Sequence, residues 1–230
     1  MQKDFTSFSE EIGISFNNPE LLRQAFTHRS YLNEHRGEVS GHNERLEFLG
    51  DAVLELVATR FLYDKFPEQP EGELTAYRAA LVNAVTCAEV ATELRMNDYL
   101  LLSRGEQKDV GRARGVLLAN ALEALIGAIY LDQGYEAAQK FIDARLFPKI
   151  DTIIKNRSWR DAKSTLQERT QEHHGETPSY AVLRESGPDH AREFLVGVYV
   201  GGQLWAEGAG HSKQEAEAAA AKAALEKKGW

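Results

Sequence analysis

The stretch His42–Val57, HNERLEFLGDAVLELV, carries Glu44, Glu47, Asp51 and Glu55 at steps of three, four and four residues. At about 100° per residue, that spacing gathers all four carboxyls into an arc of roughly 80° on one helix face. Leu46, Leu49, Val53, Leu54, Leu56 and Val57 fill the opposite side. Like charges one turn apart repel by about a few tenths of a kcal/mol per pair, and the stretch contains no lysine to relieve them. Two readings account for such a stripe. It is either a solvated face or a set of carboxylates grouped for a hard divalent cation such as Mg²⁺, which prefers carboxylate oxygen and keeps several waters. A cation of that kind makes water nucleophilic and neutralises negative oxygens, which is what phosphodiester hydrolysis needs.

A second acid sits in an otherwise apolar run, LLANALEALIGAIYLD, where Glu123 has Asn120 one turn before it and Gly127 one turn after it. Gly50 in the first stretch and Gly127 in the second would let two helices approach closely, bringing Glu123 toward Glu47 and Asp51. A cation between the helices would offset the repulsion within the stripe.

The elements that hold these residues read as helices over residues 1–155. Asn18 and Pro19 form a cap and first-turn pair, and Thr75 reads as the cap of a helix through LTAYRAALVNAVTCAEVATELRM. A shorter helix runs near Tyr135–Leu146, and the loop SRGEQKDVGRARG precedes the run that carries Glu123. No strand is expected in this half. Past residue 160 the pattern changes. A helix over residues 161–173 leads into alternating segments, SYAVLRES and REFLVGVYV, with Phe194, Val196, Val198 and Val200 on one side. QLWAEG reads as a third strand, and Ser212 caps KQEAEAAAAKAALEKK, whose alanine face lets it lie close to a sheet. The expectation is two domains: an all-α domain over 1–155, then an α+β domain of order α-β-β-β-α over 161–229.

The composition, 43% apolar and 27% charged, is that of a globular chain. The single Cys87 leaves no disulfide framework or thiolate zinc site and suits a reducing cytoplasm. The N-terminus is polar and acidic, unlike a signal peptide, and no apolar run reaches the roughly 18 residues that span a bilayer. A cytoplasmic protein without a membrane partner is therefore expected.

HNERLEFLGDAVLEL resembles the signature of the bacterial ribonuclease III family, and LLANALEALIGAIYLD resembles that family's second catalytic helix. Residues 161–228, closing in GHSKQEAEAAAAKAAL, resemble a double-stranded-RNA-binding domain. The resemblance implies an Mg²⁺-dependent endoribonuclease, with Mn²⁺ as a substitute, that cuts double-stranded RNA to 5′-phosphate and 3′-hydroxyl ends. Its substrates would be ribosomal, messenger and transfer RNA precursors. It assigns metal binding to Glu47, Asn120 and Glu123, catalysis to Asp51 and Glu123, and supporting roles to Glu44 and Glu71. The family most commonly has aspartate where this chain has Asn120. An amide still offers a carbonyl oxygen but no charge, so the alternative is a non-cleaving RNA-binding dimer. The family's nuclease domains form a homodimer, and Phe48 stands where a phenylalanine plugs the partner.

Gln167, Glu168, His190 and Lys213 match the three RNA-contact regions of the binding domain. Double-stranded RNA is read through shape, 2′-hydroxyls and phosphates, and Lys213 opens a helix where backbone N–H groups favour phosphate. The net charge of −8 opposes an RNA partner. Residues 161–230 hold 8 Lys and Arg against 11 Asp and Glu, and residues 1–160 hold 19 against 24. Modest RNA affinity, lost early as salt rises, is expected.

Overall fold

The computed structural model describes residues 3–35, 37, 40–108, 111–156, 162–188 and 192–230, with only the backbone of Arg112. The chain forms two compact units, Met1–Trp159 and Arg160–Trp230. The first holds α1 (Phe5–Ile12), α2 (Pro19–Ala25), α3 (Arg29–Glu34), α4 (Glu44–Lys65), α5 (Glu71–Val82), α6 (Ala84–Glu93), α7 (Arg112–Gln133), α8 (Tyr135–Arg145) and α9 (Lys149–Lys155). The second holds α10 (Ala162–His174), β1 (Ser179–Ser186), β2 (Glu193–Val200), β3 (Gln203–Gly210) and α11 (Lys213–Lys228). An all-α unit is thus followed by an α-β-β-β-α unit, as the sequence patterns predict.

Local signals explain most helix starts. Asn18 accepts the Glu20 N–H ahead of Pro19, and Asp4 accepts from Thr6 and Ser7 to start α1. The expectation for Thr75 is corrected. This residue lies inside α5, where its hydroxyl donates to Glu71, and the helix begins one turn earlier after Pro70. The long helix expected there also breaks in two. Asn83 is extended, and its side-chain oxygen accepts the Thr86 N–H to cap α6. A short polar side chain that bonds its own backbone competes with helix continuation.

The centre of the first unit is α7. Leu118, Ala119, Ala121, Leu122, Ala124, Leu125, Ile126, Ala128 and Ile129 are all buried there, against apolar residues of α2, α4, α6 and α8. This helix is also long and apolar enough, by length and composition, to cross a bilayer. That corrects the expectation that no such run exists, but its apolarity is used up in the core of the helical unit.

Where α4 crosses α7, both helices have glycine. A Cβ placed on Gly50 would lie 1.7 Å from the Glu123 carbonyl oxygen, and one on Gly127 would lie 2.2 Å from the Leu46 carbonyl oxygen. Each glycine costs its helix roughly 1 kcal/mol relative to alanine. Backbone-to-backbone contact is what that cost allows, and it brings the acid-bearing faces of the two helices together.

In the second unit the antiparallel sheet has the order β1-β2-β3. Phe194, Val196, Val198 and Val200 are buried on one face of β2, as the alternation requires. Ala216, Ala220, Ala221 and Ala224 of α11 are buried with them. The approach is so close that a Cβ on Gly208 of β3 would lie 2.1 Å from the Ala220 amide nitrogen.

Gly50→Ala has no space to relax into, because its obstacle is main chain. It should destabilise the helical unit by about 3 kcal/mol, seen as a melting transition several degrees lower. An unchanged transition would show that the α4–α7 crossing tolerates separation.

Candidate active site

A small cleft lies at the head of α4. Asn43 ties the start of that helix to the chain leaving α2. Its amide N–H donates to the Thr27 carbonyl at 2.9 Å, and its side-chain amide donates to the Ala25 carbonyl at 3.3 Å. Thr27 pairs with Leu101 in an isolated parallel bridge, flanked by Leu101 N–H donating to Phe26 at 2.8 Å and His28 N–H donating to Leu101 at 3.0 Å. These segments wall a cavity of about 40 Å³, whose polar lining is His28, Asn43, Glu44, Glu47 and Asn120.

Counter-charges meet the ends of the acidic stripe and leave its middle bare. Glu44 pairs with Arg29 at 3.5 Å and lies 3.7 Å from His42, while Glu55 pairs with Arg78 of α5 at 2.9 Å. Among the described residues, no basic side chain pairs with Glu47, Asp51 or Glu123. Burial, and then the neighbouring Glu44 and Asp51, push the Glu47 carboxyl above its ordinary range. Glu123 is pushed up to about 7, first by burial and then by Asp51 and Glu47. Behind them, burial followed by the charges of Glu123 and Asp51 raises the Cys87 thiol to about 12, which makes it inert. Burial lowers His28.

The structure therefore brings Glu47, Asp51, Asn120 and Glu123 into one neighbourhood, with Glu44 at its rim. Among the described residues no three His, Cys, Asp or Glu side chains are close enough to form a ready ligand set. The donors available are carboxylate and amide oxygens, and their mutual repulsion is relieved by positive charge. Such a set fits a hard divalent cation that keeps part of its water shell. A larger groove of about 460 Å³, lined by Gln133, Glu136, Lys140 and Arg145 among others, carries two bases against one acid and shares no residue with the cleft.

The other candidates are more dispersed. Glu71 is exposed at the start of α5, and its contact is with Thr75 rather than with the acids of α4 or α7. Phe48 is 81% exposed on α4. Gln167 and Glu168 are exposed on α10, and Lys213 is exposed at the start of α11, its ammonium 5.9 Å from the Phe194 ring. His190 lies outside the described residues. Sequence reasoning missed His28, Arg29 and Arg78. Each reaches the α4 face from another segment, and no spacing rule connects those segments.

A helical unit with an acidic cleft is thus followed by an α-β-β-β-α unit. Residues 18–150 match the family model described as ribonuclease-III-like, and residues 162–228 match the double-stranded RNA binding motif. Over 223 residues the chain is 48% identical to the protein named Ribonuclease 3 from Bdellovibrio bacteriovorus, covering 96% of this chain and 95% of that one. Ribonuclease 3 of Enterococcus faecalis is 48% identical over 220 residues, with coverage of 96% and 95%. The solved nuclease domain of ribonuclease III from Campylobacter jejuni superposes with a TM-score of 0.58 at 38% identity, over 63% of this chain and 97% of that one. The chain belongs to the ribonuclease III family, and it is an endoribonuclease with a double-stranded-RNA-binding domain.

The raised Glu123 carboxyl has a consequence for stability. Without metal it keeps its proton to about pH 7 in the fold, against a reference value of 4.5 for the free side chain. Between those values the folded chain binds more protons than the unfolded one, so stability falls as pH rises through that window. Glu123→Gln removes this dependence. In chelator, its gain in melting temperature over the parent should be larger at pH 8 than at pH 5. Equal gains at the two pH values would mean that Glu123 titrates in its ordinary range.

Proposed function

We propose that this endoribonuclease is an Mg²⁺-dependent homodimer that hydrolyses double-stranded RNA to 5′-phosphate and 3′-hydroxyl ends. The observation that carries the reading is the glycine crossing, which sets Glu123 against Glu47 and Asp51 with no base among them. Glu47, Glu123 and the Asn120 carbonyl oxygen would hold the cation, with Asp51 as the remaining catalytic acid. Bound there, Mg²⁺ would supply an activated water and neutralise phosphate charge. In the hydrolysis, water oxygen bonds to phosphorus, the bond from phosphorus to the 3′-oxygen breaks, and that oxygen leaves with a proton.

The chain's own groups divide the remaining work. Asp51, exposed beside Glu47, would take a proton from water. Glu44, paired with Arg29 at the rim, would keep that guanidinium beside the path of the RNA backbone. Asn120 brings an oxygen without charge, so the cation would be held by two carboxylates rather than three. Gln167, Glu168 and Lys213 are proposed to grip the duplex through 2′-hydroxyls and phosphate, and structured RNA precursors in the cytoplasm are the proposed substrates.

The dimer reading rests on Phe48, which stands nearly free of its own chain on the same helix face as the acids. In the Campylobacter jejuni nuclease domain, a region involved in dimer formation is structurally flexible. By analogy, Phe48 of each protomer would insert into its partner and place two clefts on opposite strands of one duplex.

The direct test is a long perfect RNA duplex incubated with the protein, with and without Mg²⁺. Cleavage should require the metal, and Glu123→Gln should lower it by orders of magnitude while duplex binding survives. A variant within a few-fold of the parent would misplace the site. For the dimer, Phe48→Glu would bury a charge at a cost of several kcal/mol, so sedimentation should find monomers. A dimer of unaltered affinity would rule out the plug.

A further inference from the structure

His28 lies in the cleft wall, across from the acids, and its ring is anchored on one side only. Its Nδ1 accepts the Ser30 amide N–H at 3.3 Å, which caps α3. The same nitrogen lies 2.8 Å from the Ser30 hydroxyl. That hydroxyl also accepts the Ser103 amide N–H at 3.1 Å, and because Nδ1 already acts as an acceptor toward the Ser30 N–H, the hydroxyl is the donor to the ring. A ring nitrogen that accepts two hydrogen bonds carries no proton, so the ring's proton must sit on Nε2. Nε2 has no partner among the described residues.

The cleft makes this donor useful. Glu44 and Glu47 only accept, and Asn43 spends its side-chain amide on the Ala25 carbonyl. Asn120 gives its carbonyl oxygen to the proposed cation, and its N–H₂ group is then the cleft's other neutral donor, held beside the ion. A phosphate entering beside two carboxylates needs a donor that does not compete with the cation for them, and a neutral N–H of fixed direction meets that need. We infer that His28 is a further substrate contact of this cleft, its Nε2–H donating a hydrogen bond to a non-bridging phosphate oxygen of the strand being cut. The inference rests on the nuclease reading of the cleft. The chain Ser103–Ser30–His28 holds the ring in place, and Ser103 begins the loop that carries Arg104 and Lys108.

Two isosteric variants separate the donor from the cap. Asparagine places its polar atoms near the position of Nδ1, and glutamine places them near Nε2. His28→Asn keeps a group able to accept the Ser30 N–H and loses the donor. His28→Gln keeps the donor and loses the anchor. With Mg²⁺ and a long RNA duplex, His28→Asn should melt with the parent yet show a kcat lower by roughly 10- to 100-fold, with KM little altered. His28→Gln should recover most of that loss despite its weaker cap. An Asn variant within about threefold of the parent, or a Gln variant as slow as the Asn variant, overturns the inference. Should His28→Asn melt early, the Gln variant decides alone: near-parent turnover supports the donor, and Asn-like turnover removes it. A parent that cuts no duplex overturns the nuclease reading of the cleft, and the inference with it. A cutting parent with an active Asn variant removes only the role of His28.

Discussion

Everything in the helical unit that bears on chemistry depends on two backbones meeting without side chains between them. At the Gly50–Gly127 crossing the separation of α4 and α7 is set by main-chain contact, the least compressible contact a protein interior offers. Glu47 and Asp51 flank Gly50 along α4, and Glu123 stands one turn from Gly127. Their relative positions are therefore inherited from the crossing rather than chosen by rotamer. The electrostatic strain follows from the same contact. Carboxyls brought together under partial burial repel one another, and Glu123 retains its proton to near neutrality. A cation is the natural relief, and metal dependence belongs to the chemistry of this family.

The second unit uses the same device with a different partner. Small residues of α11 face Gly208 of β3, and the helix rests on the sheet at backbone distance. In both units glycine and alanine determine how close two elements come. The exposed polar residues, Gln167, Glu168 and Lys213 among them, are carried at heights that those contacts decide.

Much of this was legible in the sequence, for reasons that differ by element. The α4 stripe and the β2 alternation are short-range periodic patterns, and burial followed them at Phe194, Val196, Val198 and Val200. Gly50, Gly127 and the alanine face of α11 carried a packing meaning that the fold matches. Thr75 misled because a hydroxyl early in an apolar run resembles a cap, whereas Pro70 had already ended the preceding loop. Asn83 was hidden because its strength as a cap for α6 depends on the chain turning there. The cleft's far wall was out of reach. Its residues come from segments 25–28 and 100–103, joined by one isolated bridge between Thr27 and Leu101, and no local pattern announces a bridge.

The pairing of Glu44 with Arg29 and of Glu55 with Arg78 changes what the α4 acids amount to as a field. Four bare carboxyls in a row would make a long shallow trough of potential, and a mobile ion could rest anywhere along several turns. With both ends matched by guanidinium groups, the trough contracts to a single well near Glu47, Asp51 and Glu123. Depth in place of length favours charge density, so a divalent ion would gain more there than a monovalent one. In that sense two surface arginines act as an aperture on the field, narrowing where along the helix a cation would gain most.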